Sequence, residues 1–295
     1  MRIIDKLSYS QNWNIGFCEQ TYDNLLQTGS LNKIRWMKHP YKDRWFADPF
    51  IYKITSTDII VFVEECPIEN PKGILCELVL NRDSLELKER YVLLELETHL
   101  SYPAIFKIGN KTYVYPENGA SGALNIYEYD ELGHRLINPV CVLSEGVADS
   151  TILQTNEGYY IIATKFPKTQ ECAYIYKSDT LFGPYALVTE EPINKSLKTS
   201  RPAGNWFYIG EQLYRPAQNC SKLYGGSISL MSASLLPYYS ESLIAELHPS
   251  SFQYNLRLHT INGLDGYLVI DGAGYSYPLI GRIIEGLRTL KHKFK

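Results

Sequence analysis

Apolar and polar residues alternate with a period of two through most of the chain, in short runs broken by Gly, Asn, Asp, Thr or Pro. The runs come in pairs. A short apolar strand, a polar or glycine turn and a second strand rich in Tyr, Val and Ile appear as DPFIYKITSTDIIVFVEE from Asp48, YPAIFKIGNKTYVYPE from Tyr102 and DSTILQTNEGYYIIATK from Asp149. The pattern returns as RPAGNWFYIGEQLYRPAQ from Arg201 and, degraded, as LHTINGLDGYLVIDG from Leu258. The starts are 54, 47, 52 and 57 residues apart, close to the length of one four-stranded propeller blade. Further strands between the pairs, ILCELVL (Ile74–Leu80), LNIYEYD (Leu124–Asp130) and CAYIYKS (Cys172–Ser178), supply outer halves of blades. The expected fold is all-β: a five-bladed β-propeller over 1–277, followed by a short amphipathic helix over 278–295. A β-sandwich is the alternative, but sandwiches do not repeat one signature five times.

The tail changes period. Ile280, Ile283, Ile284, Leu287, Leu290 and Phe294 recur at helical spacing, and Arg282, Arg288, Lys291, Lys293 and Lys295 oppose the single acid Glu285. Such a basic amphipathic helix suits an anionic membrane surface. The same apolar stripe would equally pack on the propeller.

Composition narrows the class. The 295 residues carry Lys+Arg 29 against Asp+Glu 32, a net charge of -3 that argues against a nucleic-acid partner. The 24 Tyr are the anomaly; tyrosine suits strands and sugar-binding surfaces, because its ring stacks while its hydroxyl stays hydrogen-bonded. Six scattered cysteines without a Cys-x-x-Cys pair read as reduced thiols, not as a disulfide framework or zinc site. The N-terminal stretch has no apolar run of signal-peptide length, no segment reaches membrane-span length, and the expected location is cytoplasmic. No metal-ligand spacing, Walker loop, Rossmann fingerprint or nucleophile elbow occurs, so neither metal nor cofactor is expected. His259, in the weakest repeat, reads as a core or surface histidine.

In a propeller the innermost strands begin at the channel mouth, so polar residues at the repeat starts converge. These are Asp48, His99, Tyr102, Asp149 and Arg201, with Arg215, Gln218 and Asn219 one strand later; Glu64, Glu65 and Glu117 come from the second strands. Carboxylates are what glycosidic chemistry needs: one deprotonates an attacking hydroxyl, and another protonates the leaving oxygen or stabilises an oxocarbenium-like transition state. An Asp-Pro at a strand start is also a common turn, and Glu64–Glu65 at a strand end also reads as a solvated edge.

WNIGF, WFADPFI, VFVEE, HLSYPAIF, YVYPENG, the ADSTIL start and SRPAGNWF…YRPAQNCSKLYG together resemble the N-terminal propeller domain of plant glucosamine inositolphosphorylceramide transferases, whose bacterial relatives are associated with surface-polysaccharide synthesis. The resemblance runs from about Trp13 to about Asp271. That domain is similar in fold to the furanosidases of glycoside hydrolase family 43, which take a base Asp, a modulating Asp and an acid Glu from their first, third and fourth blades. By this resemblance Asp48 and Asp149 match the first two. The fourth start offers Arg201 instead of Glu, and arginine suits a phosphate leaving group, unless Glu117 serves as the acid.

The resemblance therefore implies a carbohydrate-active protein of surface-glycan assembly, foremost a glycosyltransferase using an anionic, phosphate-linked donor. Asp48 would activate the acceptor, Asp149 would tune it, Glu117 would act as acid or bind hydroxyls, and Arg201 and Arg215 would hold the donor. His99, Tyr102, Gln218, Asn219, Glu65 and Tyr224 complete the expected sugar-binding set. The partners expected are a sugar donor and a glycan acceptor, with membrane contact through 279–295. Two alternatives remain: a family 43-like glycosidase acting on a furanoside, and a non-catalytic glycan-binding module.

Overall fold

The computed structural model describes residues 9–235 and 238–293. At the N-terminus, β1 (Asn12–Glu19) and β2 (Arg35–Trp36) flank a short helix, α1 (Tyr22–Thr28). Thr21 caps α1, its hydroxyl accepting from the Asn24 amide, an N-cap of the usual kind. Blade 1 is β3 (Arg44–Ile54), β4 (Asp58–Pro67), β5 (Ile74–Asn81) and β6 (Leu87–Leu94). Blade 2 is β7 (Ser101–Ile108), β8 (Lys111–Glu117), β9 (Leu124–Asp130) and β10 (Arg135–Leu143). Blade 3 is β11 (Val147–Thr155), β12 (Gly158–Lys165), β13 (Cys172–Ser178) and β14 (Ala186–Leu187), with β15 (Asn194–Lys195) also pairing β13. Blade 4 is β16 (Phe207–Ile209), β17 (Gln212–Asn219), β18 (Ser227–Ser234) and β19 (Ser240–Leu247).

The fifth repeat supplies only the inner half of its blade, β20 (Ile261–Leu264) and β21 (Tyr267–Gly274). The N-terminal strands complete it, β1 pairing antiparallel with β21 along its whole length from Asn12↔Gly274 to Glu19↔Tyr267. The degraded fifth repeat is thus half a blade, and the ring closes by joining the two ends of the chain.

Strands near the axis such as β4 and β21 are buried on both faces and read as apolar on both sides, whereas the outer β10 and β19 are largely exposed. Each space between neighbouring blades holds its own core. Phe17, Phe46, Val61 and Val269 lie between blades 5 and 1; Phe62, Val114 and Tyr129 lie between blades 1 and 2. Tyr115, Ile161 and Tyr176 lie between blades 2 and 3. Leu153, Trp206 and Leu213 fill the next space, and Ile228, Leu230 and Ile270 the last. At about 1.5–3 kcal/mol for each large apolar side chain buried, stacking of blades holds the ring together.

The C-terminal helix, α2 (Pro278–Lys293), begins against blade 5. Gly281 lies so close to Tyr275 that an added Cβ would sit 2.4 Å from the ring, and Arg282 donates to the Phe252 carbonyl at 3.0 Å while lying over that ring. Leu279, Ile283 and Leu287 nonetheless face outward, 66%, 63% and 62% exposed. That side of the apolar stripe does not pack on the propeller. Phe294 and Lys295 lie outside the described residues. No helix among the described residues is long and apolar enough to cross a membrane.

Candidate active site at the propeller axis

Three inner strands carry the same irregularity. The register of β3 shifts between Ala47 and Phe50, that of β7 between Ser101 and Ala104, and that of β11 between Ala148 and Thr151. Inside each bulge one residue is left-handed: Asp48 (φ 50), Tyr102 (φ 48) and Asp149 (φ 47). A non-glycine residue there costs about 1–3 kcal/mol, strain that concentrates at functional sites, and a bulge redirects the side chains beside it.

The Asp48 carboxylate accepts from the Thr260 hydroxyl at 2.6 Å and from the Tyr102 amide at 3.1 Å, while the Asp48 amide donates to Asp271 at 3.1 Å. Asp271 also accepts from the amides of His259 and Thr260, both at 3.0 Å, and pairs with His259 Nδ1 at 2.6 Å. His259 Nε2 lies 3.8 Å from Asp48, and Trp13 stacks on the imidazole with ring centres 4.2 Å apart. Burial works against charge on His259, but Asp271 and Asp48 outweigh it and lift the imidazole to about 9. Burial lifts Asp48 to about 7; His259 opposes this, and the carboxylates of Asp149, Glu64 and Asp271 reinforce it.

Arg201 organises the other half of the cluster. Its Nε donates to Asp149 at 2.6 Å, one Nη to Thr169 at 3.0 Å and the other to Glu117 at 3.2 Å; Tyr224 lies under the guanidinium at 5.4 Å. Gln218 donates to Asp149 and to the Pro202 carbonyl, and the Asp149 amide donates to Glu117 at 3.3 Å. Burial and the Asp149 charge push Glu117 well above the usual carboxylate range, against the pull of Arg201. Burial acts on Asp149 in the same direction, but Arg201 and a hydrogen bond from Glu117 overcome it and hold Asp149 low. Glu117 therefore keeps the proton and Asp149 the charge, a division typical of acid–base sites. Glu117 is the most open of the three carboxylates, its side chain 11% exposed against 6% for Asp48 and 3% for Asp149.

The structure brings Asp48, Asp149, Glu117, Arg201, Gln218 and Tyr224 together. His99 stands at the rim, its side chain 46% exposed and 3.1 Å from Glu64. Four expectations need correction. Arg215 is 1% exposed and bound to Glu241 at 2.7 Å and to the Thr199 carbonyl, so it is a buried structural cation of blade 4 and cannot hold a donor. Asn219 shares its side of the strand, its Nδ2 3.5 Å from Glu246 and its Oδ1 taken by Ser221. Glu65 ties Arg44 and Arg90 together on the side of β4 opposite Glu64, because adjacent strand residues point to opposite faces. Tyr102 is fully buried, its ring edge-on to Phe50 and its hydroxyl 3.2 Å from Thr151; it serves Asp48 through its main chain and offers no ring to a sugar. Arg201 stays in the site with its donors committed to protein oxygens.

Sequence reasoning passed over His259, Thr260, Asp271 and Phe166. His-Thr occupies the fifth repeat start, the position of Asp48 and Asp149 in theirs, and that alignment was the available signal. Phe166, 43% exposed, lies against Gly119 two residues from Glu117, where a Cβ would fall 1.9 Å from the ring. It is an exposed aromatic side chain packed on the turn that follows Glu117. Asp48, His259 and Asp271 also present three ligand atoms within 4.8 Å of one another. These residues could hold a cation. Asp271 and Asp48 favour the protonated imidazole of His259, and Asp271 already accepts four donors, so a metal would have to displace the His259 proton.

The fold and site define a five-bladed β-propeller with a buried acid–base cluster at its axis. The scaffold recurs in solved structures: an exo-β-1,3-galactanase from Phanerochaete chrysosporium in complex with galactose aligns with a TM-score of 0.56 at 10% identity, covering 71% of this chain and 53% of the other. A family 117 glycoside hydrolase from Zobellia galactanivorans aligns at 0.55 and 11%, covering 92% of each chain. The particular family comes from sequence. Residues 33–245 match the family described as glucosamine inositolphosphorylceramide transferase 1, N-terminal, and the chain belongs to it. The glucosamine inositolphosphorylceramide transferases 1 of Oryza sativa subsp. indica and of Arabidopsis thaliana are 26% and 24% identical over 197 and 198 residues, 64% and 65% of this chain. The matched region spans about a quarter of those relatives, 26% of each.

Proposed function

We propose that the axial cluster is the active site of a glycosyl-transfer reaction driven by paired carboxylates. The observation that carries this reading is the convergence of Asp48, Glu117 and Asp149, from three blades, on one buried cluster with opposed protonation states. Glu117 gives its proton to the departing glycosidic oxygen. Asp48, near neutral in its proton affinity, removes a proton from the acceptor hydroxyl. Asp149, held ionised by Arg201, faces the positive charge that develops on the sugar ring. Phe166 and Tyr224 offer rings on which a sugar stacks.

The commitment of Arg201 and Arg215 to protein carboxylates favours an acid-assisted leaving group over an anionic donor held by arginines. The same observation supports hydrolysis as the second reading, with water in place of the acceptor hydroxyl. The membrane part of the proposal rests on the outward stripe Leu279, Ile283 and Leu287 and on the basic residues of the tail, which together suit an anionic cytoplasmic surface. There the site would meet a lipid-linked glycan.

Mass-spectrometric product analysis against a panel of sugar nucleotides, phosphosugars and oligosaccharides tests the reaction. Transfer predicts a lengthened acceptor, and hydrolysis predicts a free sugar labelled from heavy-oxygen water. Glu117→Gln should reduce either by 10²–10⁴-fold, the usual worth of a general acid; no product from any donor with the parent protein would leave only a binding role.

A further inference from the structure

A second concavity lies off the axis. An open cleft of about 930 Å³ runs between blades 5 and 1, bounded by the segment that joins β2 to β3, the turn after β4 and the residues that lead into α2. Its volume is within the range of small-ligand sites. None of Asp48, Glu117, Asp149, Arg201 and His259 lines it. The aromatic cluster around Trp13 and Trp45 stands between the two: Trp13 stacks on His259 on the axial side, and Trp45 donates to the hydroxyl of Tyr9, which lines the cleft.

Its chemistry is that of a site for an acidic sugar. Tyr277, 52% exposed, and Tyr9 present rings, and the amides of Asn12 and Gln253 present paired donors and acceptors of the kind that read hydroxyl groups. The charges do not cancel. The acids of the wall are Asp43 and Glu69. Arg44 is bound to Asp43 and to Glu65, which lies outside the lining, so Lys38 and Lys42 remain against the single further acid, Glu69. Lys42 makes no ion pair among the described residues, and Lys38 has one contact of 3.9 Å to the exposed Glu86, a pair worth little in water. In the same wall His39 Nδ1 is buried without a hydrogen-bond partner, and a buried polar atom without one is costly.

We infer that this cleft is a second carbohydrate site, one that holds an acidic saccharide with its ring on Tyr277 and its carboxylate or phosphate between Lys38 and Lys42. The site is independent of the axial chemistry. It would hold a charged glycan or the head of a phosphate-linked one while the axis acts on another unit. Because Ser276 and Tyr277 run directly into α2, an occupant would lie at the base of that helix.

Calorimetric titration separates the possibilities, with trigalacturonate as the carboxylate probe, glucosamine 1-phosphate as the phosphate probe and galactotriose as the neutral control. The charged probes should bind the parent and Asp48→Asn alike, and the tighter of the two identifies the anion. Lys38→Gln/Lys42→Gln should weaken the charged probes at least tenfold and galactotriose by less than twofold, whereas Tyr277→Ala should weaken all that bind. These side chains are exposed, so the variants should keep the parent melting temperature. Absence of charged-probe binding at millimolar concentration, equal binding by the double-lysine variant, or loss of binding in Asp48→Asn would each overturn the inference. Failure of the axial turnover test would leave it standing.

Discussion

His259 sits between two aspartates and beneath Trp13, and its proton has a consequence for stability. With a folded value raised to about 9 from 6.5, the imidazolium stabilises fully below about pH 6.5, and that stabilisation is lost as pH rises through 9. The shift corresponds to roughly 3 kcal/mol at most. Asp48, raised to about 7, acts in the same direction over a lower window, its folded form resisting ionisation between about pH 4 and 7. Asp149, held low, acts oppositely and only in acid. Melting temperature should therefore fall steadily from pH 6.5 to 9.5, and His259→Gln should flatten that part of the curve. A parent protein whose melting point is level over this range would mean that His259 is neutral in the fold. Arg201 gives a second test: Arg201→Met strips the buried Asp149 carboxylate of its cation and Glu117 of a donor and should cost about 3–5 kcal/mol in denaturant unfolding. Adding Asp149→Asn to that variant should restore part of the loss, whereas simple additivity would show that the pair is not coupled.

At the scale of elements, the hairpin pairs were legible because two-residue alternation and turn chemistry repeat. Thr55 and Thr155 even close the inner turns of blades 1 and 3 in the same way, each hydroxyl accepting from the amide two residues on. What sequence did not give was parity. Glu64 and Glu65 differ by one step and face opposite sides of β4; Gln218 reaches Asp149 from the axial side of β17 while Arg215 and Asn219 do not. The bulges at Asp48, Tyr102 and Asp149 reset the register of their strands, and no residue pattern announces where a bulge falls. Gly204 was read only as part of a motif, yet it lets blade 4 pass the Ile261 carbonyl, which a Cβ would approach to 1.9 Å. The closing strand was likewise hidden, because β1 lies far in sequence from β21. It carries Trp13, Ile15 and Phe17, all nearly fully buried, so a chain beginning at Gln20 loses several kcal/mol of burial out of a typical total of 5–15. Such a chain should show no cooperative thermal transition. A sharp melt near the parent temperature would mean that four blades suffice.

At the scale of the whole molecule, three features lie apart on one ring: the axial cluster of Asp48, Glu117 and Asp149, the off-axis cleft and the outward face of α2. Deleting residues 278–295 should leave the melting temperature within about 2 °C and abolish salt-sensitive binding to anionic liposomes, since each basic group near such a surface is worth about 1 kcal/mol. A large fall in melting temperature without liposome binding by the parent would return the helix to a packing role. The five-bladed plan was legible in the repeat starts, and so were the axial carboxylates, but not the strand that closes the ring; the imidazole that pairs with Asp271 and faces Asp48 came from the repeat most eroded in sequence. The claim on which the rest depends is that Glu117, Asp48 and Asp149 face a sugar. A crystal structure of Glu117→Gln grown with a saccharide identified in the product screen tests it most directly. The account predicts a sugar ring at the axis, stacked on Phe166 or Tyr224, with its glycosidic oxygen within hydrogen-bond distance of the residue 117 side chain. A saccharide bound only elsewhere on the propeller, with the axial cluster closed as it is here, would contradict it.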